Sequence, residues 1–448
     1  MIEILRSTQL FVSGLPSGLR LRLQEALTVP NPAYHKIARI TGNEWAAARD
    51  FKYFKQIKGT DTIAVPLGFE GRLRTYLQAQ GLKYEYVDNS VDKLLTLWIS
   101  TEPELRDYQI PIVQAMVDAP RGGLVMASTG VGKTVLVLSS IRRQKKTAII
   151  LARNTVDLNQ YVRKAKDMYG FVIGQYHGTK KDIQDVTVTT WNSLGDLELH
   201  AERFSHIYID EVHTAVSDGR MEALSKFKPS KIYGLSGSPR RSKDDGRTDV
   251  IQFIVGSEIY RYAQTQLKPT IVIQNSHVDV PVFPEYNETV DALVEHDGRN
   301  TLICGLALGE ALQGKKVLIL CKRKKHCELL QEKLPKGQGV IYIDSDDKGR
   351  NDLLESLSMG DQEFSILIGT VSLIGTGTDI PSLDTLIIAS DMRSDVILEQ
   401  GAGRILRMFE GKPTPKIYDI VDNRNPILSN HARERMKFYK TIGWEVIV

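Results

Sequence analysis

Gly123-Leu-Val-Met-Ala-Ser-Thr-Gly-Val-Gly-Lys-Thr134 decides the fold. An apolar strand, Gly123–Ala127, runs into a glycine-rich turn, and Val135–Ile141 follows with spacing that suits a helix. Gly130 and Gly132 let successive backbone N–H groups curl around phosphate oxygens where a side chain would clash. The following helix presents its positive end to the same anion. Thr129, Gly130, Val131 and Gly132 therefore form a phosphate cradle. Lys133 reaches the terminal phosphates, and the Thr134 hydroxyl is a ligand for Mg²⁺. Ala127 replaces the usual first glycine, which costs nothing where φ is negative.

A second pattern completes this chemistry. Ile207-Tyr-Ile-Asp-Glu-Val-His213 is an apolar strand that ends in two acids. Asp210, at the strand end, suits Mg²⁺ held through water. Glu211 is the carboxylate available to polarise an attacking water, because phosphoryl transfer depends on positioning and charge stabilisation.

From Gly122 onward, short β-branched runs alternate with amphipathic stretches. In the first half the runs are 123–127, 147–152, 185–190, 206–210 and 231–235. In the second they are 316–321, 339–344, 364–370, 385–390 and 416–421. Helical spacing appears at 156–168, 326–334 and 394–406. Such alternation predicts two tandem α/β units with parallel sheets. The polar segment 241–300 is expected to contain the boundary between them. Residues 1–95 lack the rhythm and read as a small α+β module. The expected domains are thus 1–95, 96–265 and 266–448.

The chain has 448 residues, 42% hydrophobic and 25% charged, the balance of a globular protein rather than a disordered or membrane-spanning one. No apolar run approaches the ~20 residues of a membrane helix, and Met1–Leu15 has no secretory pattern. Cys304, Cys321 and Cys327 are read as reduced thiols, since Cys321, His326 and Cys327 fit no common zinc spacing. The expected compartment is cytoplasmic. The whole net charge of +4 falls in residues 1–90, which hold 12 Lys/Arg against 8 Asp/Glu. That imbalance suits either an anionic partner or a solvated surface.

Together these motifs resemble superfamily 2 helicases of the DExH type, from about Leu105 to the end of the chain. The resemblance implies two RecA-like domains and an ATP- and Mg²⁺-dependent motor. Leu105-Arg-Asp-Tyr-Gln109 looks like the adenine-reading element, with Arg106 and Gln109 on the base. Asp210-Glu-Val-His213 looks like the DExH box, in which His213 links the nucleotide to the next motif. Gly234-Leu-Ser-Gly-Ser-Pro239 resembles motif III, with Ser236 and Ser238 in coupling positions. Thr370–Pro381 resembles motif V, placing Gly377 and Asp379 toward the nucleotide. Gln400-Gly-Ala-Gly-Arg-Ile-Leu-Arg407 resembles motif VI. Its Gln400 belongs to the catalytic set, and Arg404 and Arg407, one helical turn apart, are the arginine fingers.

Grip on nucleic acid is expected from Arg153 and Asn154, from Thr190, from Lys322 and Arg323, and from Thr370, on loops opposite the nucleotide. Trp191 suits core packing better than base stacking. Lys52, Lys55 and Lys58, interleaved with Phe51, Tyr53 and Phe54, predict a helix with one basic face, either duplex-binding or simply amphipathic. Asn31-Pro-Ala-Tyr34, Val65-Pro-Leu-Gly68 and His431–Tyr439 resemble phage UvsW-type helicases, although Leu67 stands where that group usually has Arg. The resemblance implies a sequence-independent helicase or translocase acting on forked, branched or single-stranded DNA. It is expected to be a monomer in the host cytoplasm, with replication or recombination proteins as partners. An RNA helicase, an ATP-switched clamp and the motor subunit of a restriction complex are the alternatives.

Overall fold

The computed structural model describes residues 1–448 except 32–33, 44, 46, 98, 128–130, 238–249, 263–267, 338, 344–345, 348, 372–379, 381, 393–413 and 448. The chain divides into two compact units, Met1–Gln264 and Thr265–Val448.

The first unit opens with a five-stranded sheet in the order Lys55–Gln56, Ile63–Val65, Leu10–Ser13, Ile2–Arg6, Tyr84–Asp88. Only its last pairing is parallel. Alternation of buried and exposed residues along Ile2–Arg6 turns Ile2 and Ile4 inward. The helices Ser17–Ala26 and Glu70–Ala79 complete this α+β module. The predicted basic helix around Lys52–Lys58 is corrected here. Asp50–Lys52 and Lys55–Gln56 are short strands, because aromatic and β-branched neighbours favour extended pairing over a helix in a segment this short.

The rest of the first unit is an eight-stranded sheet. Its order is 180–181, 174–177, 186–190, 148–152, 206–210, 231–236, 122–127, 258–262. Every pairing except that between 174–177 and 180–181 is parallel. Ala148–Ala152 is buried at every position, as a central parallel strand covered on both faces should be. Glu258–Tyr262 and Thr270–Asn275 are strands within the segment that the sequence presented as a polar connection.

The small module is fastened firmly to this sheet. The Arg6 guanidinium, 1% exposed, pairs with Glu70 at 3.0 Å and donates to the Pro229 carbonyl at 2.5 Å. Glu70 also receives Arg121, at 3.2 Å. Phe253 meets both Tyr53 and Phe69 edge-on, with centroids 5.7 Å apart in each case. Gly68 lies against the backbone of Gln252 and Gly256, so closely that a Cβ would sit 2.7 Å from the Gln252 carbonyl oxygen.

The second unit carries a seven-stranded, wholly parallel sheet in the order 340–343, 366–370, 317–321, 385–388, 416–421, 270–275, 445–447. The three cysteines are buried in its core, and burial pushes the Cys304 thiol up to about 11. The helix Pro426–Thr441 places His431, Arg435 and Tyr439 on one buried face at four-residue intervals. Arg435 holds Asp419 and Asp391, each at 2.9 Å. His431 contacts Asp391 at 2.5 Å, and the Tyr439 hydroxyl donates to Asp419 at 3.0 Å. Each buried charge thus has a partner, without which its burial would be prohibitive. Among the described residues, no helix is long and apolar enough to cross a membrane.

Candidate nucleotide site

The C-terminal ends of three adjacent parallel strands, 122–127, 206–210 and 231–236, bring the sequence motifs together. In open α/β sheets ligands bind at this edge. Gly132 takes φ +86°, a left-handed conformation, directly before the helix Lys133–Gln144. Glycine adopts it without strain. Lys133 and Thr134 therefore occupy the first turn, with Thr134 8% exposed. Val131 is buried beneath the turn. Thr129 and Gly130 lie outside the described residues.

Lys133 ion-pairs with Glu211, their side chains 10% and 20% exposed. Burial raises the Glu211 carboxyl, but Lys133, His213 and Arg153 together outweigh it and hold that carboxyl below the usual range. Asp210 moves the other way. Burial raises it, Lys133 counteracts, and the neighbouring Glu211 charge adds to the rise. Its Oδ1 accepts the Glu211 backbone N–H at 3.0 Å, and Tyr161 donates to Oδ2 at 3.4 Å. Tyr161 was not anticipated, since nothing local marks a contact that spans 49 residues.

Glu211 sits at φ +47°, ψ 57°. A non-glycine residue there carries strain of about 1–3 kcal/mol, which is characteristic of functional turns. His213 lies 3.4 Å from Glu211 Oε2, and its Nδ1 is 3.0 Å from the Ser236 hydroxyl. Lys133, Glu211, His213 and Ser236 thus form one polar chain across three strand ends. Ser238 lies outside the described residues.

Arg106 and Gln109 lie at the rim. Gln109, 5% exposed, accepts the Arg106 N–H at 3.0 Å and donates to the Val131 carbonyl at 2.8 Å. Gln109 therefore joins the segment 105–109 directly to the turn before Lys133. Tyr108 stacks on Tyr262, with centroids 4.8 Å apart, and Arg106 lies over Tyr108. Tyr262, opposite Ala127 on the edge strand, belongs to no motif and could not be found from sequence.

Two hard-oxygen carboxylates and the Thr134 hydroxyl suit a divalent cation of the Mg²⁺ type. Asp210 and Thr134 are the residues that would hold it. Such an ion supplies charge neutralisation on the phosphates.

The expected nucleic-acid contacts divide by role. Arg153 and Asn154 follow strand 148–152 and Thr190 ends strand 186–190, on the other half of the same edge. Asn154, however, caps the helix Thr155–Tyr169, its side chain accepting the Asp157 N–H at 2.9 Å. Arg153 pairs with Asp157 at 3.3 Å. In the second unit Lys322 is exposed, with its ammonium 5.2 Å from the Tyr286 ring centre. Arg323 donates to Asn287 at 3.0 Å, and Thr370 is only 6% exposed at its strand end. Trp191 is 7% exposed in the core, with Arg220 over its ring. Gly377, Asp379, Gln400, Arg404 and Arg407 lie outside the described residues.

Two families match the chain in tandem. Residues 102–241 match the res subunit of type III restriction enzymes, and residues 298–409 match the helicase conserved C-terminal domain. The chain has the superfamily 2 helicase fold. With both halves of that architecture present, it is an ATP-dependent nucleic-acid helicase or translocase of the superfamily. A protein of Escherichia phage T5 described as a probable helicase is 25% identical over 83% of this chain and 82% of its own length. A DNA 3'-5' translocase of Sulfurisphaera tokodaii is 29% identical over 48% of this chain and 51% of its own. The structure of S. cerevisiae Dbp5 bound to RNA and ADP BeF3 shares the fold, with TM-score 0.55 and 14% identity over 77% of this chain and 90% of that one.

Proposed function

We propose that this superfamily 2 helicase is a DNA-stimulated ATPase that translocates on DNA and remodels forked or branched substrates, in the manner of the phage UvsW-type group. The observation that carries the reading is the chain Lys133–Glu211–His213–Ser236. A bound triphosphate competes for Lys133 and takes it from Glu211. Glu211 is then free to accept a proton from the attacking water. Ser236 and His213 report the change to the neighbouring strand end. Arg404 and Arg407 are assigned to the same triphosphate by their motif, where they neutralise charge developing on the γ-phosphate. A ligand that favours one arrangement of the protein over another shifts their populations, and hydrolysis reverses the shift.

DNA is preferred as substrate because the relative from Sulfurisphaera is described as a DNA translocase and the terminal segments resemble the UvsW-type group. The match of residues 102–241 to a restriction-enzyme subunit supports one rival, the motor of a larger restriction complex. ATPase and strand separation on single strands, duplexes, forks, four-way junctions and RNA test the proposal. Forks and junctions should stimulate both activities most. Stimulation by RNA alone would overturn the DNA assignment. Equal activity on linear and branched DNA would overturn the remodelling role.

A further inference from the structure

Residues 31–49 form an excursion from the N-terminal module with a closed neck and an apolar tip. At the neck, Thr28–Pro30 pairs antiparallel with Asp50–Lys52, matching Thr28 with Lys52 and Pro30 with Asp50. Asn31 seals it twice, donating its backbone N–H to the Arg49 carbonyl at 3.0 Å and its side-chain amide to the Ala48 carbonyl at 2.8 Å. Val29 and Phe51 pack on the module's core, and Tyr53, just beyond, stacks edge-on with Phe253 of the large sheet. The neck is thus built into the body that carries Lys133.

The tip is unlike the neck. Trp45 is 93% exposed and Ile40 is 73% exposed. Two local hydrogen bonds lie beside them. Thr41 donates to the Ile37 carbonyl at 2.8 Å, and Asn43 Oδ1 accepts the Trp45 N–H at 2.9 Å. A tryptophan this exposed leaves one whole ring face open to a flat partner. Its surroundings select the partner. Arg39 and Arg49 are exposed on the same excursion, and its sequence holds Lys36, Arg39 and Arg49 against one acid, Glu44. An aromatic ring among cations suits a polyanion that also offers flat apolar faces, which is an unpaired nucleobase on its phosphate backbone.

We propose that this excursion is a nucleic-acid pin, with Trp45 stacking on a base at the junction between duplex and single strand. The pin belongs to the same unit as the phosphate loop. Movement of that unit along DNA drives Trp45 against the first base pair, where stacking on the freed base opposes reannealing. The stack itself does not depend on the motor reading, whereas the strand-separating use of it does.

The test uses the full chain, its Trp45→Ala and Trp45→Phe variants, and a forked DNA carrying 2-aminopurine at the junction. Without nucleotide, Trp45→Ala should weaken fork affinity about tenfold, the size of one base–aromatic stack. It should also remove the 2-aminopurine response, leave affinity for blunt duplex unchanged, and be largely rescued by Trp45→Phe. With ATP, Trp45→Ala should lose fork opening while keeping single-strand-stimulated ATPase within about twofold. Wild-type fork affinity in Trp45→Ala would overturn the pin. So would a parallel loss of ATPase, or an effect confined to self-association, which would assign the tip to a second copy of the chain. If no nucleic acid stimulates ATPase, the motor fails, and the nucleotide-free arms still decide the pin.

Discussion

The His213 ring nitrogen Nδ1 lies 3.0 Å from the Ser236 hydroxyl, bridging two adjacent parallel strand ends. The bridge joins the turn that holds the acids to the strand end beside it, so a change at Glu211 reaches Ser236 through one side chain. Replacing Ser236 with Ala removes the contact without touching Lys133 or Asp210. The expected outcome is uncoupling: strand separation falls about five- to tenfold, the size of one lost hydrogen bond. ATPase on single-stranded DNA should stay within about threefold. Parallel assays of the two activities decide it.

The Lys133–Glu211 pair makes a prediction about stability without nucleotide. Lys133→Ala leaves a largely buried carboxylate without its ammonium partner, which costs about 3–5 kcal/mol. Adding Glu211→Gln removes the stranded charge and should recover part of the loss. Urea titration of both single variants and the double variant isolates the interaction. Additive losses would show that the pair is not coupled.

Acid sensitivity follows from two buried imidazoles. Burial first, then Lys231 and Lys146, lowers His206 to about 3. Burial first, then Arg299, lowers His326 to about 3. Both folded-state values lie below the ordinary 6.5, so the unfolded chain takes up protons first. Their contribution is complete above about pH 6.5 and is lost as pH falls toward 3, by about 1.4 kcal/mol per pH unit for each ring. Urea midpoints measured from pH 7 down to 5 should fall accordingly. His326→Gln, whose amide can still donate to Asn300 Oδ1 as the ring does at 2.9 Å, should flatten that fall in the second unit.

Gly68 tests how the small module is fastened. A Cβ there would meet the Gln252 carbonyl at 2.7 Å and the Gly256 backbone more closely still. Gly68→Ala should therefore cost about 1–3 kcal/mol and make the first 90 or so residues the earliest to be cleaved in limited proteolysis. Unchanged cleavage would mean that Arg6, Glu70 and Phe253 hold the module without that close approach.

The parallel sheets were legible because buried central strands such as Ala148–Ala152 and Val317–Cys321 are continuous apolar runs. The placement of Lys133, Asp210 and Glu211 was legible because each ends or closely follows a continuous apolar run. Tyr161 and Tyr262 were not, since their contacts depend on tertiary packing and leave no local pattern. Asn154 shows the reverse limit. An amide after a strand reads equally as a phosphate donor or a helix cap, and the structure uses it to cap. The Lys52–Lys58 stretch misled because charge at three-residue spacing imitates a helix, while Phe51 and Tyr53 are drawn into strand pairing and core contacts instead.

The central claim is that triphosphate binding frees Glu211 from Lys133 to activate water, and that DNA stimulates this step. Glu211→Gln tests it most directly, through single-turnover ATP cleavage and ATP affinity with and without forked DNA. Cleavage should fall by about 10²–10⁴, ATP should bind at least as tightly as before, and DNA should fail to restore the rate. Near-normal DNA-stimulated cleavage in Glu211→Gln would contradict the account.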